Sequence, residues 1–394
     1  MTIAVTGIGI VSPIGVGPRQ FWEALCAGRS GIAPIEGAVG LPSIAAAVRG
    51  FAAREFITSA HYRRMDALSR MTVAACRMAL DDARALPGLD LARLGIVYGS
   101  ALGNVSESAQ YLDKVFARGP AAASPLLFPN LVLNAPASYA AMEFGAQGVN
   151  LTLGHGEVSG EAAIGLGADV IRAGRADVVL AGGADELAAI VIAAVRRARA
   201  LAGQRGGREW ASPYDAARSG LVLGEGAAML VLEPLERARR RGAPVYAHLE
   251  ASASFAVPAA PYDWPQHVTA VSPLRALCGS APVQLVCGAA NSSRRLDAYE
   301  LELIGGLAAT RAATLTSIRG AIGEFGAAGA LSAAAACLAL RDQLAPPLCH
   351  LETPSDTNVR LAGRVAEPLA IDRALVCGWA RGGSGAALMF SRAN

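Results

Sequence analysis

Short runs of β-branched and aliphatic residues, bounded by glycine, alternate along the chain with longer alanine-rich stretches of helical period. The runs Ile3–Ile8, Leu94–Tyr98, Val178–Ala181, Ala227–Leu232, Val283–Val286, Ala374–Cys377 and Ala386–Phe390 predict strands. Helices are predicted over Gln20–Ala27, Met65–Ala83, Gly160–Arg172 and Gly329–Leu340. Alternation of the two implies a layered α/β architecture with largely buried strands. The stretch Ala327–Leu340 is apolar or small almost throughout, which leaves it no face for water. A helix held between two sheets has that pattern.

Two stretches are alike. Gly154-His155-Gly156-Glu157-Val158-Ser159-Gly160 and Gly323-Glu324-Phe325-Gly326-Ala327-Ala328-Gly329 each place a glycine-flanked turn between an apolar run and a small-residue helix. They hint at an internal duplication. The Pro-, Ala- and Ser-rich segment Ala251–Ala270 reads as a loop joining two halves, residues 1–250 and 251–394.

Composition narrows the class. The chain has 394 residues, 53% hydrophobic and 17% charged, which excludes disorder. A net charge of +3 argues against nucleic acid or an anionic membrane as the main partner. The densest basic run, Arg237–Arg241, reads as a solvated helix end. The longest uncharged stretch, Gly119–Met142, carries Pro120, Pro125, Pro129 and Pro136 and so is a poor membrane span. Seven cysteines without a CxxC pair, and five scattered histidines, give neither a disulfide framework nor a metal site. The N-terminus, with no basic leader, reads as a first strand, and the expected location is cytoplasmic. The opening Gly7-x-Gly9 lacks the third glycine of a dinucleotide loop and reads as a tight turn.

Several segments, in order, carry a family likeness. They are Val5–Gly15 with Phe21-Trp22 and Gly28–Ile32; Ala176–Val178 with Ala181–Asp185; Ser212–Asp215 with Arg218–Gly220 and Leu223–Ala227; and Ala327–Ala330 with Leu340–Gln343. Together they resemble the β-ketoacyl synthases of the thiolase superfamily over nearly the whole chain. The resemblance implies an α/β thiolase fold, in which duplicated βαβαβαββ halves form a five-layered αβαβα sandwich.

The likeness breaks where that family does its chemistry. Active members hold a cysteine nucleophile at a helix N-terminus, where backbone amides and the dipole favour the thiolate. The matching position here is Glu157, and the two family histidines correspond to Ala289 and Glu324. Arg319 stands for the lysine, and the turn after Glu324 is one residue shorter than usual. A carboxylate is a poor nucleophile toward a thioester, and Ala289 has no donor for an enolate oxygen. In the C-terminal turn Cys377–Gly385, Arg381 replaces an aromatic gate and is expected to fill the acyl pocket. Arg319 and Arg381 are expected to pair with Glu157 and Glu324, because buried charges persist when paired. His155 and Cys287 lie near these positions in sequence, but the first need not point inward and the second reads as a structural thiol.

A ketosynthase-like chain without these groups is similar to the chain-length factor of type II polyketide synthases, of aromatic or aryl-polyene type. That resemblance implies a heterodimer with an active ketosynthase, a shared elongation tunnel, and a carrier protein that brings phosphopantetheine; the chain itself needs no cofactor. By position, Ser106–Phe116 resembles the helix that sets tunnel depth. Ser108, Tyr111, Leu112 and Val115 share one face of it, Tyr111 being the bulkiest candidate stop. Ordinary core packing explains the same pattern. Leu131 and Val132 are candidates to reach the partner's pocket. Two other readings stay open: a malonyl-thioester decarboxylase or hydrolase using Glu157 as base, and a homodimeric protein that binds the acyl carrier.

Overall fold

The computed structural model describes residues 1–35, 44–265 and 271–393. Its main sheet has 12 strands, and their order exposes the duplication that the sequence only hinted at. The principal strands of the first half are Ile3–Ser12, Leu94–Gly99, Asn150–Leu153, Val178–Asp185 and Gly226–Pro234. Those of the second are Ala247–Ala256, Leu285–Cys287, Thr314–Thr316, Arg373–Trp379 and Ser384–Arg392. In both halves they lie side by side as first, fifth, fourth, second, third. In both, the second strand pairs parallel with the third and fourth, and the fifth pairs antiparallel with the fourth and first. The halves join where their first strands pair antiparallel, with Ile3 opposite Leu249.

The expected joining loop holds only in part: residues 257–265 carry neither helix nor strand, but the segment before them does not follow the expectation. Ala251–Ala256 belong to a strand that lies inside the sheet, between Ile3–Ser12 and Ser384–Arg392. Alternating small residues there suit close packing rather than a turn. The later part of that segment, residues 266–270, lies outside the described residues.

Two central helices, Ser159–Arg172 and Ala328–Asp342, pack on each other in the middle of the molecule. Every residue from Ala328 to Leu340 is buried, as its composition demands. Glycine permits this contact: a Cβ on Gly160 would meet the Ala330 amide at 2.7 Å. Helix Ala67–Ala83 covers the outer face of the first half and is capped by Asp66, whose side chain accepts the Ser69 N–H. The prolines of the uncharged stretch also gain a role, since Pro120, Pro129 and Pro136 each sit in the first turn of a helical segment.

The basic run is only partly solvated. Arg237 and Arg241 both pair with Glu233, which is fully buried and also accepts the Thr6 hydroxyl. Arg239 reaches toward solvent.

Candidate functional site

The first turn follows strand Asn150–Leu153. Gly156 takes φ +60°, a conformation side chains resist, and opens a short 3-10 turn over Gly156–Val158. The Ser159 hydroxyl accepts the His155 N–H at 2.9 Å and donates to the Gly156 carbonyl at 2.7 Å. This lock holds Glu157 half-buried at the mouth of the first central helix. Its carboxylate accepts the Arg381 backbone N–H at 3.2 Å and is ion-paired with the Arg381 guanidinium. The guanidinium also lies over the Trp264 ring, 4.4 Å from its centre.

The second turn uses a different device. Gly323 has φ +72°, and a Cβ there would meet the Leu223 carbonyl at 2.9 Å. The backbone of Glu324 stitches onto residues 222–224, donating to Val222 O at 2.8 Å and accepting from Gly224 N at 3.0 Å. Glu324 is thereby carried into the interior, 5% exposed. Its Oε2 accepts from Asn291 Nδ2 at 3.0 Å and Arg319 Nε at 3.3 Å. Arg319, 2% exposed, also donates to Ser332 Oγ at 3.2 Å. Burial pushes the Glu324 carboxyl above its usual range; Arg319 opposes that shift and Glu157 adds to it. The two ion pairs expected from the sequence thus form as Glu157–Arg381 and Glu324–Arg319.

Ala289 offers only its backbone. Its N–H and that of Ala290 each donate to Glu300 at 2.9 Å. Tyr214 Oη at 2.5 Å and Trp379 Nε1 at 3.1 Å complete a clasp on that carboxylate. Asn291, Ser332, Trp264 and the Glu300 clasp were not singled out from sequence. Their signal was faint, because each acts across elements distant in the chain.

A cavity of about 230 Å³ opens beside the two glutamates. Glu157, Glu324, Asp185, Glu186 and Arg381 form its charged side, and Val105, Val191, Leu221 and Phe325 are among its apolar walls. Arg381 closes one side of this space rather than filling it, because its guanidinium is turned onto Glu157 and Trp264. Among the described residues, no cysteine or histidine lines the cavity. His155 is solvent-exposed. Cys287 is 1% exposed on its strand, and burial pushes its thiol up to about 12, which leaves it inert.

The tunnel candidates sit apart from this cavity. Ser108, Tyr111 and Val115 are half-buried and Leu112 is exposed on helix Val105–Arg118, whose first residue alone reaches the cavity wall. The Tyr111 ring packs against Phe128 at 6.5 Å. Leu131 is half-buried and Val132 exposed. They lie on a surface that also exposes Phe116 and Leu126, 81% and 72% accessible.

The fold and this site define a class. Residues 1–238 match the family model described as the β-ketoacyl synthase N-terminal domain, and residues 269–352 match the C-terminal domain. The chain belongs to the β-ketoacyl synthase family, and its fold is the thiolase fold. Among curated relatives, a 3-oxoacyl-[acyl-carrier-protein] synthase 2 of Rhizobium meliloti (strain 1021) is 31% identical over 99% of this chain and 98% of that protein. One from Coxiella burnetii (strain RSA 493 / Nine Mile phase I) is 30% identical over 99% and 98%. Among solved structures, the ishigamide ketosynthase/chain length factor superposes with a TM-score of 0.92 at 26% identity, over 100% of this chain and 99% of that one. A type II polyketide synthase ketosynthase in complex with its acyl-carrier protein shares the fold, with a TM-score of 0.89 at 23% identity over 100% and 99%. Among the described residues, no helix is long and apolar enough to cross a membrane.

Proposed function

We propose that this chain is a non-condensing, chain-length-factor-like subunit that pairs with an active ketosynthase and shapes the tunnel for chains borne on an acyl carrier protein. The observation that carries the reading is the pair of salt bridges, Glu157–Arg381 and Glu324–Arg319, at the positions where the resemblance calls for nucleophile and imidazole. Neither carboxylate can hold an acyl thioester. Neither is free to stabilise an enolate, since both are acceptors already engaged by cations.

The first-half edge of the sheet supports pairing with another subunit. Among the described residues, strand Asn150–Leu153 ends the sheet with an open edge, and Leu151 and Met142 are exposed close in sequence to it. An unpaired edge beside apolar surface is an association site in most folds. The face of Tyr111, Ser108, Leu112 and Val115, with Leu131 and Val132, would then border the tunnel.

The open cavity beside Glu157 keeps one rival in play, a malonyl-thioester decarboxylase or hydrolase. Incubating the chain alone with malonyl-carrier protein decides between them. The expected result is neither release of CO2 nor thioester hydrolysis until an active ketosynthase is added. Turnover by the chain alone that is lost in Glu157→Ala would overturn the reading.

A further inference from the structure

The site contains an acid that its two salt bridges leave over. Glu161 stands one helical turn beyond Glu157 and is 1% exposed, and neither of its carboxyl oxygens has a hydrogen-bond partner. Its carboxyl occupies a socket made by two glycines. A Cβ on Gly329 would lie 1.8 Å from Glu161 Cδ, and one on Gly378 would lie 2.4 Å from Oε1. These glycines come from the second central helix and from strand Arg373–Trp379. The socket is therefore shared by both halves and has no room for a water on those sides.

The charges around it form a closed set. Arg319 and Glu324 face it from the second half, Cys377 from strand Arg373–Trp379, and Glu157 precedes it on its own side. Arg381 is committed to Glu157, and Arg319 donates to Glu324 and Ser332. Asp185 and Glu186, at the same cavity, are held by Ser100 with the Ala101 N–H and by the Ser106 N–H; among the described residues that leaves Glu157, Glu324 and Glu161 to two guanidiniums, so one carboxyl has no cation of its own. Glu161 is the one that no guanidinium or side-chain donor holds, and a carboxylate so placed in a dry socket is strongly disfavoured. Burial raises its pKa to about 7; Arg319 and its own backbone N–H pull against that, and Glu324 reinforces it.

We propose that Glu161 is a proton site that keeps the cluster in balance: while neutral it leaves Arg319 to Glu324, and once ionised it competes for Arg319 and loosens the contact between the two central helices. The inference stands whether or not the chain pairs with a ketosynthase. A group whose folded pKa is raised contributes stability that is complete below its unfolded value. That contribution is lost as pH climbs through the folded one.

The test compares thermal midpoints of the whole chain from acid through alkaline pH for the native protein, Glu161→Gln and Glu161→Met. Infrared spectra in the protonated-carboxyl region accompany each. The native midpoint is expected to fall by several degrees relative to Glu161→Gln as pH rises through neutrality, with the gap closing at acid pH. The methionine variant keeps the same flattening even if its packing lowers the whole curve. A protonated-carboxyl band should be present in the native protein on the acid side of neutrality and be diminished in both variants. Asp185 and Asp297, raised to about 6 and about 7, stay in all three proteins, so the differences isolate Glu161. Parallel midpoint curves for all three proteins, or identical carboxyl bands, would overturn the proposal.

Discussion

The two halves of the molecule each deliver a glutamate to the same cavity from the turn before a central helix, and the two acids end in different circumstances. Glu157 is half-buried and is answered by a cation from the C-terminal turn, which is itself backed by an indole. Glu324 lies in the interior and is answered by Arg319, five residues earlier on its own segment. The first pair keeps access to water and ions, so its charges are partly screened and its partners are replaceable. The second has no solvent to fall back on, so each partner is indispensable to the other. The same motif repeated in a duplicated fold has become a rim pair in one half and a core pair in the other.

Arg319→Met should break the comparison most sharply. It leaves Glu324 buried without its cation and should cost about 3–5 kcal/mol in urea unfolding. Adding Glu324→Leu to it should recover most of that loss, because the stranded charge goes too. Arg381→Ala should cost only about 1 kcal/mol, in line with a partly exposed pair, and the loss should shrink in high salt. An equal effect at the two sites would erase the distinction between rim and core.

Glu300 sharpens the contrast with Glu161, since both are fully buried and only the first is clasped by donors. Trp379→Phe removes one donor from the clasp and should cost about 1 kcal/mol, read by denaturant midpoint. Glu233 supplies the opposite pH sign. Burial alone would raise its pKa, but Arg241, Thr6 and Arg237 more than offset that and hold it below the usual range. Its contribution is present above the unfolded carboxylate pKa and lost as pH falls through the folded one, so Arg241→Ala should soften the acid limb of a pH-unfolding curve. The smallest effect on stability belongs to Tyr111→Ala, within about 0.5 kcal/mol because the residue is half-buried on an outer helix. Its consequence should appear in the products of the paired complex, as a longer chain by mass spectrometry.

Much of this arrangement could be read from the residues. Ala328–Leu340 carries its burial in its composition, and the paired turns around Glu157 and Glu324 carry the repeat. Both ion pairs followed from the rule that buried charges need partners. What stayed hidden depends on distance in the chain. Ala251–Ala256 resembles a loop by composition, yet it is a strand because Ser384–Arg392 and Ile3–Ser12 supply partners on either side. Arg381 reads as a plug until Trp264 and Glu157 are seen to turn it aside. Glu161 carries no signal of its own in the sequence, since its helix also holds Asp169 and its glycine socket is made by residues more than 160 positions away.

The most direct test of the central claim is the native mass of this chain co-expressed with an active ketosynthase of its own pathway. A one-to-one complex of about twice the chain mass is expected, with product formation abolished by removing the partner's nucleophile. A homodimer of this chain that ignores the ketosynthase would contradict the account.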